Sequence, residues 1–408
     1  MKVKSSIVTM FAAVVIAGGC AGNGSSTTPA DTGGTGGSAA AGGTDGTGGT
    51  SGTGASGGTG GTSGTGGAGT GGTTAGGTAP EGLVFSPYKD TAINMNWNTS
   101  VITTKVTGAP TALADDLTAN GGKTITLAFA TGECGNENWG GVAGAAMATA
   151  NVAPLTQANV KYIVSTGGAA GSFTCGSDAG MKTFIDRWAS AGLIGIDFDI
   201  EAGQSQSVID ELVQRIKTAH ASYPSLRFSL TLATLANNNG ASAAQSLGSA
   251  APDSLNTYGD QVMAAVKGTL GFDGTASTWP AYVTVNLMTM DYGAASPNVC
   301  VVSGATCQMG QSALQAAYNL HDHFGVPLHN IELTPMIGGN DVANQPFTLD
   351  DAATVANFAI AQSLAGVHHW SYDRDVDCPT GSASPTCNSI GNAGPHGYLK
   401  RFLDSGLH

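Results

Sequence analysis

The chain has 408 residues, a formal net charge of −13 and 62 glycines, and only 11% of its residues are charged. So acidic a balance argues against a nucleic-acid partner, which selects a basic face, and suits a neutral substrate. Composition changes sharply along the chain and divides it into three parts.

Residues 1–19 carry Lys2 and Lys4, an apolar run from Ile7 to Ile16, and the small residues Ala17, Gly18 and Gly19. The run is too short to span a bilayer and ends in small residues, so it reads as an export signal. Cys20, directly after it, resembles the lipobox cysteine of bacterial lipoproteins. The resemblance implies lipidation at Cys20 and a lipid-anchored place in the cell envelope, with plain secretion as the alternative. From 20 to 81 the sequence is nearly all Gly, Thr, Ser and Ala, with no aromatic residue. Such a segment buries too little apolar area to offset its ordering entropy. A disordered linker is expected, with a root-mean-square reach of roughly 40 Å by random-coil scaling.

Residues 82–408 suffice for one large domain. Strand patterns begin at Leu83, Lys123, Val160, Ile194, Arg227, Tyr282, Asn330 and Gly366, and helical patterns such as GMKTFIDRWAS and QSVIDELVQRIKTAHASY lie between them. Repeated βα units predict an α/β fold, a single (β/α)8 TIM barrel, with a doubly wound open sheet as the alternative. No Gly-rich phosphate fingerprint follows the first strand, which weakens a nucleotide-binding version.

With Cys20 lipidated, six cysteines remain in an exported chain, so disulfides are expected among 15 possible connectivities. Short separation favours Cys300 with Cys307 and Cys378 with Cys387, leaving Cys134 with Cys175. No C-x-x-C pair is present, and His321 and His323 sit in a helical pattern as solvated residues. His368 and His369 are adjacent in a strand and face opposite ways, so no metal and no cofactor are expected.

The fourth strand pattern carries the chemistry. In GIDFDIEAG, Asp197, Asp199 and Glu201 alternate with Phe198 and Ile200. Strand alternation puts the acids on one face, inside the barrel and climbing to its C-terminal mouth, where this fold places its active sites. Three carboxylates so close repel and lose hydration, so at least one proton is retained and shared.

These residues resemble the family 18 glycoside hydrolase signature D-G-x-D-x-D-x-E at Gly195, Asp197, Asp199 and Glu201; Ile194 stands where the pattern has its first Asp. STGG from Ser165 is similar to the S-x-G-G of the third strand, and MTMD from Met288 to the M-x-Y-D of the sixth. TPMIGGND and WSYDRD are similar to the seventh and eighth strands of bacterial chitinases of this family. The resemblance covers residues 82–408. It implies retaining, substrate-assisted hydrolysis of β-1,4-linked N-acetylglucosamine in chitin or chitooligosaccharides. Glu201 would be general acid and base, Asp199 would orient the substrate's acetamido group, and Asp197 would share a proton with Asp199. Trp370 would be the platform under the cleaved sugar. Tyr88, Ser165, Met288, Met290, Asp291 and Trp139 complete the expected substrate-binding set, and Trp97, in the loop after the first strand, is a candidate to extend the groove.

Two further expectations come from spacing. Met290 replaces the Tyr of M-x-Y-D, and alternation puts Met288, Met290 and Tyr292 on one face, so Tyr292 is the candidate hydroxyl donor. Only about eight residues lie between GGND and the next helical run, too few for an inserted domain, so an open groove and endo-acting cleavage by a monomer are expected. An endo-β-N-acetylglucosaminidase acting on N-glycans and a non-catalytic chitin-binding lectin are the alternatives. The presence of Glu201 favours the enzyme.

Overall fold

The computed structural model describes residues 82–408; the signal segment, Cys20 and the linker lie outside the described residues. The first strand comes in two halves, β1 (Val84–Phe85) and β2 (Tyr88–Asp90), broken at Pro87, which has no N–H to give a ladder. It is followed by β3 (Thr124–Ala130), β4 (Lys161–Gly167), β5 (Leu193–Asp199), β6 (Arg227–Ala233), β7 (Val283–Met288), β8 (Ile331–Thr334) and β9 (Gly366–Val367). All neighbours in this sheet pair in parallel. Because β1 pairs with β9 and β2 pairs with β3, the two halves of one strand close the sheet into a barrel. The eight strand patterns of the sequence and their order are those observed.

A helix follows each strand: α1 (Leu113–Ala119), α2 (Gly144–Gln157), α3 (Asp178–Trp188), α4 (Gln206–Ser222), α5 (Thr257–Leu270), α6 (Met309–Phe324), α7 (Leu349–Gln362) and α8 (Gly397–Asp404). In α4 the buried residues Ile209, Leu212, Val213, Ile216 and Ala219 recur at helical spacing and form the stripe that lies on the sheet. Ile196, Phe198 and Ile200, the apolar alternates of the acid strand, belong to the same layer between strands and helices. None of the helices among the described residues is long and apolar enough to cross a membrane.

Inside the barrel the side chains are largely polar and paired. At the N-terminal end, Glu332 meets the His368 Nε2 at 2.6 Å and the Arg227 Nε at 3.4 Å. His368 Nδ1 lies 2.7 Å from the Ser86 carbonyl. His369 points the other way, into the outer core, and stacks on Phe402 at 5.7 Å. The disulfides are Cys134–Cys175, Cys300–Cys307 and Cys378–Cys387, the pairing favoured by sequence separation.

Candidate active site

Asp197 lies inside the barrel with 1% of its surface exposed, yet it is fully solvated by side chains. Its Oδ2 accepts from the Tyr88 hydroxyl at 2.8 Å and the Ser165 hydroxyl at 2.6 Å. Its Oδ1 accepts from Ser229 at 2.7 Å and Thr231 at 2.6 Å. Behind them, Asn286 donates its Nδ2 to both Tyr88 and Thr231 at 2.9 Å, and accepts from Thr334 at 2.8 Å. The hydrogens of this network therefore all point towards Asp197. Burial pushes its pKa up and the hydroxyl donors oppose that rise.

Asp199 sits one pleat higher, also buried, and its Oδ1 has no hydrogen-bond partner. Its carboxyl is held well above the usual carboxylate range by burial, then by the charges of Glu201 and Asp197. Asp199 and Glu201 act on each other, and two buried carboxyl groups so placed favour keeping one proton between them. Burial raises Glu201 too, and the Ala169 backbone N–H and Asp199 oppose it. Four hydroxyls occupy the Asp197 oxygens, while the charges of Glu201 and Asp197 both bear on Asp199.

Close approach of β4 to β5 shapes this site. Gly167 has φ +87°, and a Cβ there would lie 2.0 Å from the Asp199 carbonyl oxygen, so the position requires glycine.

Trp370 follows β9, bridges to Tyr88 and to Met336, and is half-buried. One side of its ring is stacked on Phe129 at 5.6 Å and 24°. The segment after it is anchored by a buried ion pair between Asp373 and Lys89, with Asn94 and Thr104 also donating to Asp373 at 3.1 Å. The buried Arg374 donates to the carbonyls of Ile337, Gly339 and Ser384, tying the loop after β8 to the Cys378–Cys387 loop. Asp291, Met288 and Met290 are half-buried at the end of β7. Asp291 accepts from the Val342 N–H at 2.8 Å, and burial raises its pKa.

Three expected substrate contacts and the expected hydroxyl donor are placed differently. Tyr88 is 2% exposed and Ser165 is fully buried, so both brace Asp197 from below. Trp139 is 1% exposed, its ring 5.1 Å from Trp188 under its own hairpin, and so offers no face to a sugar. Tyr292 is 2% exposed, and its hydroxyl is buried without a partner in hydrogen-bond geometry. The alternation that would have carried it to the Met290 face stops, because β7 ends at Met288 and Asp291 takes φ +51°. Trp97, in contrast, is 54% exposed, in the loop after β2 beside Gly140.

Ser229, Thr231 and Asn286 were not anticipated as site residues. The signal was available: Ser229 and Thr231 alternate along β6 as Asp197 and Asp199 do along β5, and the two pairs are in register. No group of three or more His, Cys, Asp or Glu residues among the described residues is placed to hold a metal ion.

No protein-family model matches the chain. The structure is similar to the catalytic domain of a hyperthermophilic chitinase from Pyrococcus furiosus, with a TM-score of 0.58 and 23% identity over 81% of this chain and 99% of that one. It is equally similar, at 0.58 and 22% identity, to a catalytic-site mutant of active domain 2 of the thermostable chitinase of that organism complexed with chito-oligosaccharides, over 80% of this chain and 96% of that one. In sequence, an alignment 102 residues long, covering 22% of this chain and 11% of the other's length, is 37% identical to a probable bifunctional chitinase/lysozyme of Escherichia coli K12. The described residues therefore have the (β/α)8 fold of these chitinase catalytic domains.

Proposed function

We propose that the protein hydrolyses β-1,4-linked N-acetylglucosamine polymers, chitin or chitooligosaccharides, by an endo-acting, retaining, substrate-assisted mechanism. What supports this reading is the buried pair Asp199 and Glu201 at the mouth of the barrel, both carboxyls raised by burial, above an Asp197 already supplied with four donors. A glycosidic oxygen is a poor leaving group unless protonated, and an acid that stays protonated near neutral pH supplies that proton.

Asp199 is suited to receive the N–H of a 2-acetamido group, since its Oδ1 is buried and unpartnered. An Asp199 that accepts this N–H is ionised, which leaves the pair's proton on Glu201 as general acid. The same Asp199 charge offsets the positive charge that develops when the acetamido oxygen attacks the anomeric carbon. Glu201, then a carboxylate, activates the water that opens the ring intermediate. Trp370, braced by Phe129, is the platform for the cleaved sugar, with Met288, Met290 and Asp291 beside it. The exposed Trp97 extends the groove.

The three disulfides fit an oxidising, exported setting, and with Cys20 lipidated the barrel would act at the cell envelope on the end of its linker. Product analysis separates this function from its neighbours. Chitohexaose should be cut internally into shorter oligomers, while cello-oligosaccharides, which lack the acetamido group, should be left intact. Release of glycan from a high-mannose glycopeptide without chitohexaose cleavage would instead assign the N-glycan reading.

A further inference from the structure

Resting on the reading of Trp370 as the platform for the cleaved sugar, we propose that Lys89 and Asp373 are positioning residues for it, their buried ion pair fixing the chain beyond Trp370 to β2 at the barrel's seam. The seam is where the first and last strands meet. Val84, Ser86 and Tyr88 donate their N–H groups to the carbonyls of Ala365, Val367 and His369 at 3.0, 3.1 and 3.0 Å, and pairing ends with Tyr88 opposite Trp370. On its other side the Trp370 backbone stays bonded, its N–H on the Pro335 carbonyl at 2.9 Å and its carbonyl accepting from the Ile337 N–H at 3.0 Å. Towards β2 the link is continued by side chains. Lys89, the next residue after Tyr88, is fully buried, and its ammonium donates to Asp373 Oδ2 and to the carbonyls of Asp90 at 2.9 Å and Ile93 at 2.6 Å. These three acceptors use all three ammonium hydrogens. Asn94 and Thr104 complete Asp373 by donating to its other oxygen, each at 3.1 Å.

Asp373 belongs to a run of four residues, Tyr372 to Asp375, each at most 2% exposed and each tied by its side chain to a different element. Tyr372 donates to Asp116 of α1 at 2.7 Å, and Arg374 donates to the carbonyls of Ile337 and Gly339 in the loop after β8. Asp375 accepts from the Tyr398 and Leu399 N–H groups of α8, each at 2.8 Å. Of the four, Asp373 is the one that reaches β2. That strand carries Tyr88, whose ring lies 6.1 Å from the ring of Trp370. Burying two charges costs solvation that their attraction barely offsets, so such a pair adds little stability over neutral groups of similar shape. Its effect here is geometric: it sets where the chain leaving Trp370 runs relative to β2.

The test is the double variant Lys89→Met/Asp373→Asn in the full chain. It removes both charges, so none is left buried and unpaired, and the amide keeps an acceptor for Asn94 and Thr104. The readout is fluorine NMR of protein labelled with fluorotryptophan, with the Trp370 signal assigned through Trp370→Phe. In the double variant that signal should shift or broaden while those of Trp139 and Trp188 stay in place, and the melting temperature should change little. On chitohexaose kcat/KM should fall by about tenfold to a hundredfold, because a misplacement of about 1 Å away from the chemistry can cost that much. Arg187→Met, which breaks the ion pair with the buried Glu137, should lower the melting temperature and leave both the Trp370 signal and kcat/KM in place. Should the double variant not fold, Asp373→Asn alone, in which one carboxylate oxygen becomes a donor, is expected to give the same changes. A folded variant with an unmoved Trp370 signal or a wild-type kcat/KM, or an equal change in Arg187→Met, overturns the proposal. The fluorine signal needs no turnover, so a wild-type protein that fails to cut chitohexaose refutes the proposed function and leaves the placement of Trp370 still readable.

Discussion

Thr231→Val probes how Asp197 is kept in the barrel. The substitution keeps the side-chain shape and removes one hydroxyl, which donates to Asp197 Oδ1 at 2.6 Å and accepts from Asn286 at 2.9 Å. A hydrogen bond to a charged group contributes about 1.5–3 kcal/mol, and the neutral one roughly 0.5–1.5 kcal/mol. Asn286 retains Tyr88 as acceptor, and the new buried methyl returns roughly 0.8 kcal/mol, so the net loss should be about 1–3 kcal/mol. In a domain of this size that lowers Tm by about 2–6 °C. Asp197 keeps three donors, its ionised form becomes less favourable, and the acid limb of kcat should move up by about one pH unit. Tyr88→Phe removes a donor from the other oxygen, Oδ2, and keeps the ring. Because Asn286 donates to both hydroxyls, the double variant should be non-additive. Calorimetry and pH–rate profiles on all four proteins are the assay. Full stability and an unmoved acid limb in Thr231→Val would mean that the hydroxyl cradle does not hold the charge.

Glu201→Gln should leave folding and oligosaccharide binding intact and lower kcat by about 10²- to 10⁴-fold; a residual rate above a tenth of wild type would remove Glu201 from the acid's role. Glu332 is held at about 2 by Arg227 and His368 against its burial. Its folded pKa lies below the unfolded value, so its stabilisation is complete above about pH 4.3 and is lost as pH falls towards 2. Melting curves across that window should show a steep loss in wild type and a flatter one in Glu332→Gln, and parallel curves would contradict the assignment. Tyr292→Phe should change kcat less than twofold, because its hydroxyl is buried and has no partner to lose; a tenfold fall in steady-state assays would return it to the reaction.

The barrel was legible because its strands are apolar runs of β-branched residues between turn residues, and that pattern survives any packing detail. Even the interrupted first strand was visible at Leu83–Tyr88, although the break at Pro87 splits its pairing between β9 and β3. The acids were legible for a related reason: a period of two fixes the face, and the face fixes the barrel interior. Trp139 was not, since a loop tryptophan has the same neighbours in sequence whether it meets solvent or, as here, Trp188. Tyr292 was misplaced because the counting assumed an extended chain through Asp291, where the backbone turns left-handed just before Gly293 at φ +81°. The serine and threonine donors to Asp197 were hidden by their ordinariness, because Ser and Thr in a strand carry no message until the register sets them beside a carboxylate. Arg374 was quoted only as part of a motif, and its contacts are all to backbone carbonyls, which side-chain identity does not encode.

The central claim is that the substrate's own acetamido group is the nucleophile, steered by Asp199, with Glu201 as acid and base. The most direct measurement is the anomeric configuration of the first-formed product, followed by proton NMR immediately after mixing enzyme with chitohexaose. Attack from within the substrate followed by water inverts the centre twice, so the account predicts that the β-anomer appears first and drifts to equilibrium afterwards. The α-anomer appearing first would show a single displacement by water and contradict the account.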